Sequence, residues 1–177
     1  MKSPDVGRIR LALRDATMED HRRVDALFTP YALDRREDYR AFLIAHARAV
    51  SAIEPIALPD HPRLALLAQD LDSLGVAMPA PLSLPGEASD GYRWGLLYAL
   101  EGSRLGGAML ARQVGTGLPA AYLSAVHGKG EWKAFQAALE SAAAQGGEGW
   151  LDDAVQGARA AFALFAQAGG QQVAHHG

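Results

Sequence analysis

Apolar residues recur along this chain at intervals of three and four, and no segment alternates Val, Ile or Thr with polar residues at period two. A repeat near 3.6 lines one face of a helix, whereas a half-buried strand requires alternation. The pattern therefore confines the chain to helices packed on helices. Alanine and leucine dominate and β-branched residues are few, in keeping with this.

Breaker residues divide the chain. A first helix is expected over 5–28, with Ile9, Leu13, Val24 and Phe28 apolar and Pro30 as its stop. A second starts at Asp34 as N-cap and carries Tyr39, Phe42, Leu43, Val50 and Ile53, with Pro55 and Pro59 ending or kinking it. A third opens at Pro62, carries Leu64, Leu67, Leu71 and Leu74, and closes at Gly75. Residues 76–90 hold three prolines and read as a loop. Further helices are expected over 90–114, 130–144 and 150–167. The expectation is an all-α domain over 1–170, six or seven helices around one core, with 171–177 as a frayed tail. At 177 residues with 49% hydrophobic side chains, one ordinary core is affordable.

Composition removes several functions. A net charge of −3 points to neither nucleic acid nor an anionic membrane surface. The absence of cysteine excludes disulfides, Cys-ligated metal and a thiol nucleophile. The N-terminus has no apolar stretch of signal-peptide length, and no run approaches the roughly 20 apolar residues of a membrane span. A cytoplasmic protein is expected. Neither a P-loop nor a strand-borne Gly-x-Gly-x-x-Gly is present, and no Glu-x-x-His pair suggests a carboxylate di-iron site.

The stretch LYALEGSRLGGAML (97–110) reads as helix yet contains Gly102, Gly106 and Gly107. Each interior glycine costs about 1 kcal/mol relative to alanine. Gly102 and Gly106 share a face, with Gly107 beside them. Such a face lets a neighbouring helix, or something flat, reach the main chain. Close helix packing, a membrane dimer motif or a paired-glycine kink are the ordinary explanations; Glu101 and Arg104 disfavour the membrane one. Those two charges are themselves expected on the helix surface.

A second stretch, LRDATMEDHRRVDALF, places Thr17, Val24, Asp25 and Phe28 on the face of His21. Arg14 lies two turns earlier, about 10 Å away. A histidine in such a stripe is most simply a packed or surface residue. The set also suits heme: a neutral imidazole ligates iron, Asp25 can hold its second nitrogen, and Arg14 can pair with a propionate. Met18 most simply fills core, His46 is most simply a satisfied or surface histidine, and His61, His127, His175 and His176 carry no constellation.

Together, LR-x-AT-x-x-x-H and EGS-x-LGG resemble the heme oxygenases, in particular the bacterial branch found beside bacteriophytochromes. Asp38, Tyr39, Phe42 and Leu43 on the second helix, and Trp132, Phe135 and Leu139 near the C-terminus, extend the resemblance. It implies a single-domain heme oxygenase-like multihelical fold. It implies that His21 is the iron ligand, and that Gly102, Ser103, Gly106 and Gly107 form the catalytic distal helix, leaving room for O2 over the porphyrin. Heme would be both cofactor and substrate, opened to biliverdin with release of CO and ferrous iron. Electrons would come from a separate ferredoxin or reductase. Arg14, Thr17, Asp25 and Lys133 would contact the heme, with Arg14 a better propionate anchor than Lys133. Many relatives place an aspartate where this chain has Ser103; the EGS-type bacterial branch shares the serine. That residue keeps open a heme-binding or heme-sensing protein without turnover. A helical interaction module is the third alternative.

Overall fold

A computed structural model describes residues 7–85 and 88–176, and contains seven helices and no strand among them. They are α1 (Arg8–Phe28), α2 (Arg36–Ala57), α3 (Leu64–Ser73), α4 (Asp90–Ala111), α5 (Ala121–Ser124), α6 (Glu131–Gly146) and α7 (Trp150–His176). The expected start of the first helix at Asp5 lies outside the described residues.

α7 is the spine, and α4, α1 and α2 all pack along it. Missing side chains permit the closest contacts. A Cβ at Gly95 of α4 would collide with the Ala154 carbonyl, one at Gly91 with the Trp150 carbonyl, and one at Gly157 of α7 with the Tyr92 carbonyl. Main chain thus meets main chain, at a separation no alanine would allow. The core on the other flank of α7 is larger: Tyr39, Phe42, Leu43, Val50 and Ile53 of α2 meet Leu67, Leu71, Leu96 and Tyr122, with Phe28 packed against them. A smaller cluster joins Leu13, Leu139, Trp150, Ala154 and Ala158.

Several boundaries differ from expectation, most of them because a residue from another segment intervenes. Asp34 does not cap α2. Arg35 is the N-cap, without a side-chain bond, while Asp38 in the first turn accepts from the Ala32 amide at 3.3 Å. Pro55 lies inside α2, and its missing donor is tolerated because little more than half a turn follows. α3 starts at Leu64, not Pro62, because the buried Glu54 carboxylate of α2 accepts from the Arg63 and Leu64 amides at 2.9 and 3.1 Å. Its end is as expected: Gly75 has φ +72°, and the Val76 amide donates to the Leu71 carbonyl. The four-residue α5, not anticipated, is held by the buried Asp70 carboxylate, which accepts from the Ala121 and Tyr122 amides at 3.0 and 2.9 Å. α7 runs to His176, past the break expected after Gln167. Tertiary contacts carry it through Gly169 and Gly170. Tyr31 donates to the Gly169 carbonyl at 2.8 Å, and Arg48 donates to Gln171 at 2.6 Å.

Candidate functional site

α1 and α4 both rest on α7 and hardly touch each other. They meet at Tyr98, one turn before Gly102. Burial raises the pKa of its phenol, and the guanidinium groups of Arg10 and Arg14 and the Thr17 hydroxyl beside it oppose that rise. Tyr98 thus packs its phenol on the Leu13 cluster of α1, among charged groups of that helix. Tyr98 was not among the residues expected at the site. Its signal was the shared face of positions 98, 102 and 106.

Along that face α4 changes partner. Gly91 and Gly95 are filled by the α7 main chain, but a Cβ added at Gly102 or Gly106 would meet nothing within 4 Å. Both are exposed, and beside them Leu105 and Met109 are 51% and 71% exposed. Two apolar side chains and a bare backbone therefore face open space. Gly107 does not share this opening. It is buried, and its Cβ would stand 3.0 Å from the Leu123 carbonyl of α5, because one residue along a helix turns the face by about 100°. Ser103 is half-buried.

On α1, His21 is 61% exposed, with Nδ1 3.2 Å from Asp25 Oδ2. Its ring stands edge-on to Phe162 of α7, with centroids 5.8 Å apart. With Nδ1 turned to a carboxylate, Nε2 is the nitrogen left to ligate a metal. Thr17 is buried, and its hydroxyl donates to the Leu13 carbonyl at 2.7 Å. Arg14 is exposed and close enough to Tyr98 to influence it. Lys133 is exposed on α6 and makes no hydrogen bond or ion pair among the described residues. Met18 is half-buried.

Glu101 and Arg104 are not the surface charges expected. Arg104 is 6% exposed and donates to the His61 carbonyl, and its Nε lies 3.5 Å from Glu101 Oε2. That same carboxylate oxygen is 2.6 Å from His127 Nε2. Burial lowers the Arg104 pKa, and Glu101 pulls it back. The cluster ties α4 to the α2–α3 connection and to the loop before α6, and so braces the helix behind Gly102. Glu101 and His127 also help to line a cavity of about 280 Å3 with Trp94, Leu97 and Phe135. His46 is buried, its Nδ1 2.7 Å from the Tyr122 hydroxyl, and burial and Arg63 push its pKa down to about 3.

Comparison with known proteins gives this architecture a class: it is the all-helical heme oxygenase fold. The heme oxygenase from Neisseria meningitidis, solved bound to NO and CO, superposes with a TM-score of 0.78 at 28% identity, covering 94% of this chain and 92% of that one. In sequence, a heme oxygenase of Xanthomonas campestris pv. campestris is 38% identical over 114 residues, which is 58% of this chain and 64% of that protein. The aligned stretch thus spans less than two thirds of that relative. No family model matches the chain. Both the sequence relative and the structural neighbour are heme oxygenases. No helix among the described residues is long and apolar enough to cross a membrane.

Proposed function

We propose that the chain is a heme oxygenase that binds heme between α1 and α4 and opens it to biliverdin, CO and ferrous iron. The observation that carries this reading is the bare, unfilled main chain at Gly102 and Gly106 of α4, together with an exposed, carboxylate-oriented His21 on α1. The residues fit the group. An imidazole with a free Nε2 suits iron, and a helix face without Cβ atoms suits a flat ring. Leu105 and Met109 supply apolar cover, and Arg14, Arg10 and Tyr98 can receive carboxylates. Bound heme would supply the site for O2 and the carbon skeleton that is oxidised.

The chain's own groups do the rest. His21 ligates and Asp25 fixes its tautomer. Thr17, buried and with its hydroxyl returned to the main chain, holds α1 in place rather than offering a surface to the ring. Arg14, with Lys133 as a further cation, orients the ring through its propionates. Gly102 and Gly106 leave the second face open, and Ser103 contributes a hydroxyl at its edge. Electrons come from a separate ferredoxin or reductase, and a biliverdin product would suit a bacteriophytochrome client.

Adding hemin to the purified protein should produce a Soret band, and His21→Ala should weaken binding at least tenfold, about 1.4 kcal/mol. Reductant and O2 should then convert the Soret band to a broad red bilin absorption, and chromatography should identify a single biliverdin isomer. Stable heme, consumed no faster than free hemin under the same conditions, would instead favour a binding or sensing protein. The uncharged Ser103 is the feature on which that second reading stands.

A further inference from the structure

Gly102 and Gly106 leave one side of α4 without contacts, and the ties that hold this stretch come from behind it. Arg104 lies two residues after Gly102 and two before Gly106, about 200° round the helix from either. It is buried, and its guanidinium donates to the carbonyls of two separate segments: His61 in the α2–α3 connection and, at 3.5 Å, Ala125 just after α5. Arg104 Nε stands 3.5 Å from Glu101 Oε2, a contact of charges without a hydrogen bond. The same oxygen accepts from His127 Nε2 at 2.6 Å, and both of those side chains are almost wholly covered. The two anchoring segments are themselves joined. Glu131, at the start of α6, accepts from the Gly128 amide at 2.8 Å and stands 3.7 Å from His61 Nε2.

Three glycines within six positions weaken a helix, and packing on the bare side does nothing to restore it. Behind the stretch lie two connecting segments, which present carbonyls and not an apolar face. A buried carbonyl needs a donor, and a guanidinium offers N–H groups to several at once. One side chain on α4 therefore fastens both segments, and the Glu101–His127 bond fastens the second again. An apolar residue at position 104 would leave both carbonyls unpaired and the glycine stretch unsupported.

We propose that Arg104, Glu101 and His127 are positioning residues that hold the Gly102–Gly107 stretch of α4 rigid from behind, so that its bare face is already formed when a flat ligand arrives. That the ligand is heme rests on the reading above, whereas the rigidity is a property of the chain alone. A ligand that meets a formed face does not have to order it, so it binds in one step and loses no affinity to ordering.

Amide hydrogen exchange in heme-free protein tests the rigidity. Arg104→Lys keeps the charge but has one ammonium in place of a fork, and Glu101→Gln removes the charge that His127 and Arg104 share. Each should speed exchange of the amides at 104–110 by about tenfold or more beyond the change set by global stability in urea. Val50→Ala, which trims the α2 core, is the comparison: it should lower global stability without that selective effect. Exchange at 104–110 that follows global stability in both α4 variants, as in Val50→Ala, overturns the proposal. If Arg104→Lys does not fold, Glu101→Gln decides. In stopped flow, the rate of hemin binding should rise linearly with hemin in the parent and level off in the variants, where α4 must first order. A rate that stays linear in both variants also overturns it. A parent that binds no hemin removes the heme reading, and the exchange result then decides the rigidity by itself.

Discussion

Gly102 and Gly106 cost α4 helix propensity, and nothing packed against them returns it. In the middle of a helix, glycine is about 1 kcal/mol worse than alanine. At Gly95 that cost is offset by close approach of α7, whereas at Gly102 and Gly106 a methyl group would enter empty space. Gly102→Ala and Gly106→Ala are therefore expected to stabilise the heme-free protein by about 0.5–1 kcal/mol each, read as a raised urea midpoint at unchanged slope. Gly106→Leu should likewise keep its helix content but lose hemin binding or turnover. Destabilised alanine variants would mean that something fills that face. Normal turnover by the leucine variant would mean that the bare main chain serves no ligand. The residue pairs His21–Asp25 and Gly102–Gly106 were legible in the sequence because each is a spacing of four on one helix. Tyr98 belongs to the same series, but what makes it notable is its proximity to Thr17, Arg10 and Arg14, which only the fold brings to it.

On the scale of an element, α4 shows how one face can serve two purposes. Positions 91, 95, 98, 102 and 106 lie along one side. The first two meet α7, Tyr98 meets α1, and the last two meet nothing. The sequence distinguishes none of these, because a glycine against main chain and a glycine against open space look alike. Substitution separates them. Gly95→Ala would drive a methyl into the Ala154 carbonyl, forcing α4 from α7, and should cost about 1–3 kcal/mol, lowering the melting temperature by several degrees. A melting temperature equal to the parent's would show that the helices part without strain. Boundaries follow the same rule. The Schellman end at Gly75 was legible because it is local. The start of α3 was not, because its cap is Glu54, ten residues earlier, and α7 outlasts its glycine pair through Tyr31 and Arg48. Where the determinant lies within a turn, the sequence displays it; where it comes from another helix, it does not.

Across the whole molecule, buried polar groups lie on both sides of α4: the Glu101, Arg104 and His127 cluster on one, and Arg63, Tyr122 and His46 on another. The sequence could not locate either group. Glu101 and Arg104 have the helical spacing of an ordinary surface pair, and their partners come from loops 20 or more residues away. Such groups make stability depend on pH. His46 has its pKa pushed from 6.5 to about 3 by burial, reinforced by Arg63. Well above pH 6.5 the ring is neutral folded or unfolded, and it adds no pH dependence. Between 6.5 and about 3 the unfolded chain takes up a proton that the native ring refuses, so unfolding becomes easier as pH falls. The expected loss is about 1.4 kcal/mol for each pH unit below the unfolded pKa. From pH 6.5 to 5.5 most carboxylates remain ionised, so this slope stands out there. Urea unfolding across that interval should show it in the parent, and His46→Gln, which keeps a polar side chain without a titrating proton, should flatten it while lowering stability at pH 7.5. A slope identical in the two proteins would place water, and not packed aromatic rings, around His46.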